Sequence, residues 1–249
     1  MISWPAGRVG FEELDSTNSE ARRRAEAGER GPLWISAVRQ TAGRGRRGRA
    51  WTSGEGNLAA TLLLRPEAPR SVTGQLSFAA ALAAAEMVSH FAPDAVIQVK
   101  WPNDVLAKGR KIAGLLLEGG PISGGESRSD PQKTWLAIGI GVNLASFPEG
   151  TEFPATSLAQ LGIAPPSSED ALTILAARFA HWYDAWMRDG FEIVRAAWLA
   201  RASGLGSPIR ARLPNETRSG VFEGIDESGA LLLNEGASVR AIAAGEVFF

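Results

Sequence analysis

Apolar residues in this chain gather in short runs set between polar turns, the pattern of strands buried on both faces. Such runs occupy residues 33–38, 58–64, 95–101, 111–118 and 134–144, and the third ends at the turn signal Pro102-Asn103-Asp104. Helical signals interrupt them. Thr17 and Glu20 stand at capping-box spacing and predict a charged helix running to about residue 29. Residues 75–91 predict a second helix, rich in small side chains that suit close packing on a sheet, and residues 167–187 and 191–202 predict a helical pair. The polar, Gly/Ser-rich stretch 119–133 predicts an exposed hairpin loop. After Gly204-Leu205-Gly206 breaks the helical pattern, short strands are predicted at 209–213, 220–225, 231–234 and 239–241, a spacing that suggests a small barrel. The expected fold class is α+β: a large domain over residues 1–203 and a small β-barrel over residues 204–249.

Composition narrows the picture. The 249 residues are enough for a full core, and a net charge of −1 argues against a general nucleic-acid binder, which needs a broad basic face. The chain has no cysteine, which excludes disulfides, thiolate metal sites and cysteine nucleophiles. No basic flank leads into an apolar run at the N-terminus, and the apolar stretch at 78–88 carries Glu86 and is too short to span a membrane. A cytoplasmic protein with no membrane partner is expected. Only four lysines stand against twenty-two arginines, so each retained lysine hints that a compact, titratable ammonium is wanted.

The segment Thr41-Ala42-Gly43-Arg44-Gly45-Arg46-Arg47-Gly48-Arg49-Ala50-Trp51 changes the picture most. Four arginines alternate with three glycines, and no Asp or Glu occurs between Glu29 and Glu55 to neutralise them. Glycine lets a backbone turn and approach a ligand, and guanidinium forks match phosphate and carboxylate oxygens. Such stretches also occur as disordered RNA-binding tails. Here the segment lies between two predicted strands, so its ends are fixed, and it reads as a loop closing over an anion.

Lys100 ends an apolar strand just before a tight turn, where an unpaired ammonium is costly. Its partner is either Asp104 in a structural ion pair or a bound anion. Lys111 opens the next strand and is either a surface lysine at an edge or a second ligand contact. Gly139-Ile140-Gly141-Val142-Asn143-Leu144 places glycines at alternate positions, marking close approach by a ligand or simply tight packing. Trp51 can stack on a base, whereas Trp182, Trp186 and Trp198 sit at helical spacing and read as core. His90 and His181 have no ligand-spaced neighbours and read as structural.

The basic loop, Lys100 to Asp104, Arg110 to Glu118 and Gly139 to Leu144 occur in the order and spacing of the biotin protein ligases, which the chain resembles along nearly its whole length. Asp15-Ser16-Thr17-Asn18 is similar to their first motif, and Gly224-Ile225-Asp226, Gly229-Ala230-Leu231 and Gly245-Glu246-Val247 to their C-terminal barrel. The resemblance implies an SH2-like, class II synthetase-like catalytic domain with an SH3-like barrel. It also implies an ATP-dependent ligase: biotin is activated to biotinyl-5′-AMP with Mg²⁺, then joined to one lysine on the biotin carrier domain of a carboxylase. Lys100, Arg46 and Arg47 are then catalytic. Ser16, Thr17, Asn18, Gln40, Gly43, Arg44, Lys111 and Gly114 face biotin, while Arg46, Arg47, Arg49, Trp51, Lys100 and Asn143 face ATP or the adenylate. The resemblance assigns no ligands to the magnesium. The match begins within the first twenty residues, so a monofunctional type without a DNA-binding domain is expected; it binds no promoter, and a homodimer is compatible with it.

Three rival functions fit parts of the pattern. Lipoate attachment uses related adenylate chemistry, but its ring lacks the ureido group that several polar side chains would serve. An RNA-binding module would use the basic loop, against which the near-zero net charge and the single tyrosine count. A non-catalytic biotin sensor is disfavoured by the retained Lys100.

Overall fold

The computed structural model describes residues 4–122 and 134–249. A seven-stranded sheet runs in the order β1-β2-β3-β7-β6-β5-β4. Its strands are β1 (Gly7–Leu14), β2 (Leu33–Gln40), β3 (Leu58–Leu64), β4 (Ile97–Lys100), β5 (Asp104–Ala107), β6 (Arg110–Pro121) and β7 (Thr134–Val142). The β1–β2 pair is parallel and the other pairs are antiparallel, as a mixed sheet requires. Among the described residues four α-helices flank it: α1 (Thr17–Glu26), α2 (Leu76–Phe91), α3 (Ser168–Asp189) and α4 (Phe191–Leu199).

The sheet's two faces differ. Ala60, Leu62 and Leu64 of β3 and Ile138 and Ile140 of β7 pack toward the main core with α2 and α3. Leu63 and Ala137 join Ala21 and Ala25 of α1 in a smaller cluster on the other face. That face is left partly open beyond α1, and the cavity described below lies there. The run Arg70–Phe91 has the length and apolarity of a membrane-crossing helix, longer than the stretch the sequence suggested, but 67% of its apolar window is buried within the fold. Its alanines let α3 approach closely, so it is a core helix here.

The remaining strands are β8 (Pro208–Arg212), β9 (Thr217–Ile225), β10 (Leu231–Asn234), β11 (Val239–Ile242) and β12 (Glu246–Phe248), in the antiparallel order β11-β10-β9-β8-β12. This is the expected SH3-like order, open between β11 and β12. The small sheet shares its core with the large one: Phe222, Ile225, Leu231 and Val247 fall in the same cluster as Phe78 and Trp101. Trp101 Nε1 donates to Gly229 O at 3.0 Å, and a Cβ on Gly229 would stand 2.5 Å from the Phe78 ring. Glycine is required there on both counts, since its φ is +86°.

Two sequence expectations are corrected. The N-cap of α1 is Ser16, not Thr17, and it makes no side-chain cap bond; Thr17 is buried and bonds across the sheet instead, and the helix ends at Glu26. Gly119 and Gly120 extend β6 rather than opening a loop, and the rest of the expected hairpin loop, residues 123–133, lies outside the described residues. His90 and His181 are exposed, each edge-on to the aromatic ring beside it in sequence.

Candidate active site

A cavity of about 440 Å³ opens between the basic loop, the β4–β5 turn, β6, β7, the segment 148–155 and β12. Its inner end is built by short polar side chains at the start of α1. Thr17 donates to Gln40 Oε1 from both its backbone nitrogen (2.9 Å) and its hydroxyl (3.1 Å). Thr61 Oγ1 contacts Thr17 Oγ1 at 2.8 Å and donates to Asn18 Oδ1 at 2.6 Å. Asn18 Nδ2 donates to Glu118 Oε2 at 2.8 Å, and Arg44 donates to the same carboxylate at 3.1 Å. Thr17, Asn18 and Thr61 are each at most 4% exposed. Buried polar groups this fully paired hold one geometry, since any rearrangement leaves a donor or acceptor unmade.

Two glycines make room for this arrangement. A Cβ on Gly139 would lie 2.3 Å from Asn18 Oδ1, and one on Gly141 would lie 2.3 Å from Cε2 of Trp51. Gly114, the cross-strand partner of Gly141, would meet Trp51 Cζ3 at 2.9 Å. The indole thus lies against bare backbone of β6 and β7. Its Nε1 is buried with no hydrogen-bond partner among the described residues, as is Asn143 Oδ1, whose own amide donates to Thr156 O at 3.0 Å. Both residues line the cavity and carry one unsatisfied donor and one unsatisfied acceptor, the kind of groups a planar polar ligand pairs with.

The outer end is cationic. Lys100 is 5% exposed, and no carboxylate among the described residues pairs with it. Lys111 takes Asp104 instead, with Nζ 2.6 Å from Oδ1, which removes Asp104 from the two partners the sequence left open for Lys100. Burial, joined by repulsion from Lys111 and opposed by Asp104, pulls the Lys100 ammonium down to about 8. Arg46 is half-buried, donates to Asn103 Oδ1 and Gly245 O at 3.4 and 3.5 Å, and is held below the usual guanidinium range by burial and by Arg47.

Of the fourteen positions singled out for the site by sequence, the cavity wall includes Ser16, Thr17, Asn18, Gln40, Arg44, Arg46, Arg49, Trp51, Lys100, Lys111, Gly114 and Asn143. Gly43 and Arg47 do not line it. Gly43 is buried against Trp51, which donates to its carbonyl at 2.9 Å, while Arg47 sits at φ +57° with its guanidinium 3.7 Å from Glu246.

Acidic partners from distant segments were not foreseen. Glu246 of β12 accepts from Arg49 and Arg212, and Arg212 also clasps Glu152 with two bonds of 2.6 and 2.9 Å. Burial raises the Glu246 carboxyl, but Arg212 and Arg49 outweigh it and leave it below the ordinary 4.5. A carboxylate depressed in the folded state stabilises above its unfolded value and loses that contribution as pH falls through the folded one. Glu246→Gln should therefore cost about 1–2 kcal/mol at pH 7, a charge-assisted contact discounted for screening. The gap to the wild type should close below about pH 4.5. Thermal melts at pH 7, 5 and 3.5 check this; a gap independent of pH contradicts it. Thr61 was within reach of sequence reading, as the lone polar residue in an apolar strand. Glu118, Glu152 and Glu246 offered no local signal.

The Biotin/lipoate A/B protein ligase family model matches residues 10–130, and that of the biotin protein ligase C terminal domain matches residues 204–249. A biotin–[acetyl-CoA-carboxylase] ligase of Paracoccus denitrificans is 45% identical over 242 residues, spanning 94% of this chain and 97% of its own. Its counterpart in Mycobacterium tuberculosis is 33% identical over 254 residues, spanning 96% and 89%. Among solved structures, a biotin protein ligase from Aquifex aeolicus in complex with biotin and ATP superposes with a TM-score of 0.81 at 26% identity, covering 97% of both chains. An SH2-like sheet carrying a basic loop, an SH3-like appendage and this degree of identity together place the chain in the biotin protein ligase family.

Proposed function

We propose that this chain activates biotin with ATP and transfers it to a lysine on the carrier domain of a biotin-dependent carboxylase. The carrying observation is the polarity of one cavity: mutually paired polar groups at one end and Lys100 without a carboxylate partner at the other. Ser16, Thr17, Asn18 and Gln40 bind the ureido ring, with Gly43, Arg44 and Gly114 shaping that end and Lys111 toward the carboxyl tail. Trp51 and Asn143 receive the adenine; the orphaned Asn143 oxygen is an acceptor, suited to an exocyclic amino group.

Biotin's carboxylate oxygen attacks the α-phosphorus, the bond from that phosphorus to the pyrophosphate oxygen breaks, and pyrophosphate leaves. Bringing two anions together needs cations that cancel repulsion and take up charge on the leaving group. Lys100, Arg46 and Arg49 serve, with Arg47 acting through Glu246. Magnesium belongs to the nucleotide substrate. When bound it would offset charge on the phosphates; among the described residues no group of three acidic or histidine side chains is placed to hold a metal. The carrier's lysine amine then attacks the acyl carbon and AMP departs. Residues 1–203 hold the substrates, residues 204–249 complete the outer wall through Glu246 and Val247, and the reaction runs in the cytoplasm.

Incubation with ATP, biotin and a carrier domain tests this: the acceptor should gain the mass of one biotinyl group, and no adduct, or a lipoyl adduct instead, refutes it. Arg46→Gly should also let the adenylate escape, because Arg46 forms part of the wall beside Asn103. Streptavidin blots of a mixed lysate would then show many labelled proteins; labelling of the carrier alone would show that Arg46 does not retain the intermediate.

A further inference from the structure

Lys100 is buried, yet no carboxylate among the described residues forms an ion pair with it, so a further contact must help stabilise its charge. Its Nζ lies 3.6 Å from the ring centroid of Phe153, with Phe249 and Phe248 at 5.5 and 5.9 Å. Phe153 is stacked on Phe248, centroids 4.9 Å apart and planes at 28°. Phe248 is backed in turn by the Arg212 guanidinium, 4.7 Å from its centroid, and Arg212 is anchored by Glu152 and Glu246. The ring nearest the lysine is thus fixed by three segments far apart in the chain.

We propose that Phe153, braced by Phe248, is a positioning residue that holds the Lys100 ammonium at the outer end of the cavity as a cation–π pair. An aromatic face is a suitable resting partner. It stabilises a cation when water is excluded, yet carries no net charge to compete with an incoming carboxylate or phosphate. A carboxylate in the same place would have to be displaced by substrate. The one nearby, Asp104, is occupied by Lys111. The inference rests on the reading of Lys100 as the residue bridging the two anions.

The groups that set the charge on Lys100 are Asp104, Glu246 and Glu152, which favour the ammonium, Lys111, which opposes it, and the apolar surroundings, which oppose it most. Arg212 lies behind Phe248 and Arg210 near its far side, 6.0 Å from the centroid. Leucine at position 153 keeps the apolar surroundings but removes the ring face, so the ammonium loses its partner and deprotonates more readily.

The experiment is the pH dependence of kcat/KM for biotin-dependent pyrophosphate release, which reports ionisations of the free enzyme. In the wild type the alkaline limb should fall with a midpoint near 8. Phe153→Leu should move that midpoint down by about half to one pH unit, the size a face-on cation–ring contact gives. Phe153→Tyr should restore it, and kcat at pH 7 with saturating substrates should change little, because bound anions then supply the partner. Phe248→Leu should move the limb the same way and provides the test from a different segment if a Phe153 variant does not fold. A limb that stays put or moves up in the leucine variants, or a uniform loss at all pH values that tyrosine fails to repair, overturns the proposal and marks plain packing. Full activity in Lys100→Ala would instead overturn the underlying role of the lysine.

Discussion

Lys100→Ala should abolish adenylate formation while leaving the fold and biotin binding nearly intact. The side chain stands on β4 one residue before the turn, and its ammonium makes no ion pair that the fold relies on. Truncation leaves no buried carboxylate unpaired, because Asp104 keeps Lys111. The loss falls on the transition state, where charge builds on the α-phosphate and the leaving pyrophosphate. Removing a positioned charge-stabilising donor costs about 2.7–4 kcal/mol, or roughly 10²–10³ in rate. Single-turnover pyrophosphate release should fall by that factor, with the biotin dissociation constant and melting temperature close to wild type. Release at the wild-type rate would remove Lys100 from the chemistry.

Gly139→Ala should act at the opposite end of the cavity. Its methyl group would stand 2.3 Å from Asn18 Oδ1, closer than any real contact, and β7 is buried along its whole length, so the strand cannot yield. Asn18 must swing away, which unmakes its bonds with Thr61 and Glu118. Leaving such groups unsatisfied costs about 1–3 kcal/mol. Biotin affinity should therefore drop by about five- to 150-fold in calorimetric titration, while ATP affinity changes far less. Gly141→Ala should show the reverse preference, because the methyl there meets the Trp51 indole at 2.3 Å. Equal losses of both ligands in both variants would show that the two glycines serve strand packing alone.

The elements carried by long apolar runs were readable. β3 and β10 fall on the residues expected, and α2, α3 and β7 shift only at their ends. β1 was missed because Gly7–Leu14 has no apolar run, its apolar residues being interrupted by glycines, Arg8 and the adjacent Glu12 and Glu13 on an edge strand paired on one side only. β5 was missed because it begins at Asp104, inside what reads as a turn, and runs for four residues. The cations of the site were legible because charge concentrated between strands is visible locally. Their partners were not. Whether Asp104 meets Lys100 or Lys111 depends on how β4, β5 and β6 pair, and β5–β6 carries a register irregularity at Val105/Leu106. Glu246 reaches Arg49 across 197 positions only because the small sheet docks as it does, a fact of packing that no local pattern encodes.

The core shared by the two sheets makes the C-terminal strands a keystone rather than an attachment. Trp101 would lose the acceptor for its indole N–H, Phe78 the turn that covers its ring, and Arg195 the Ile225 carbonyl it binds at 2.8 Å, were that sheet to lift away. The residue losing its acceptor is also the neighbour of Lys100 in the chain. The lysine's placement is therefore mortgaged to a sheet more than a hundred residues downstream, and the basic loop, tied to β12 through Glu246, shares that dependence. A polypeptide still emerging from the ribosome would possess all the site's cations before it possessed a site.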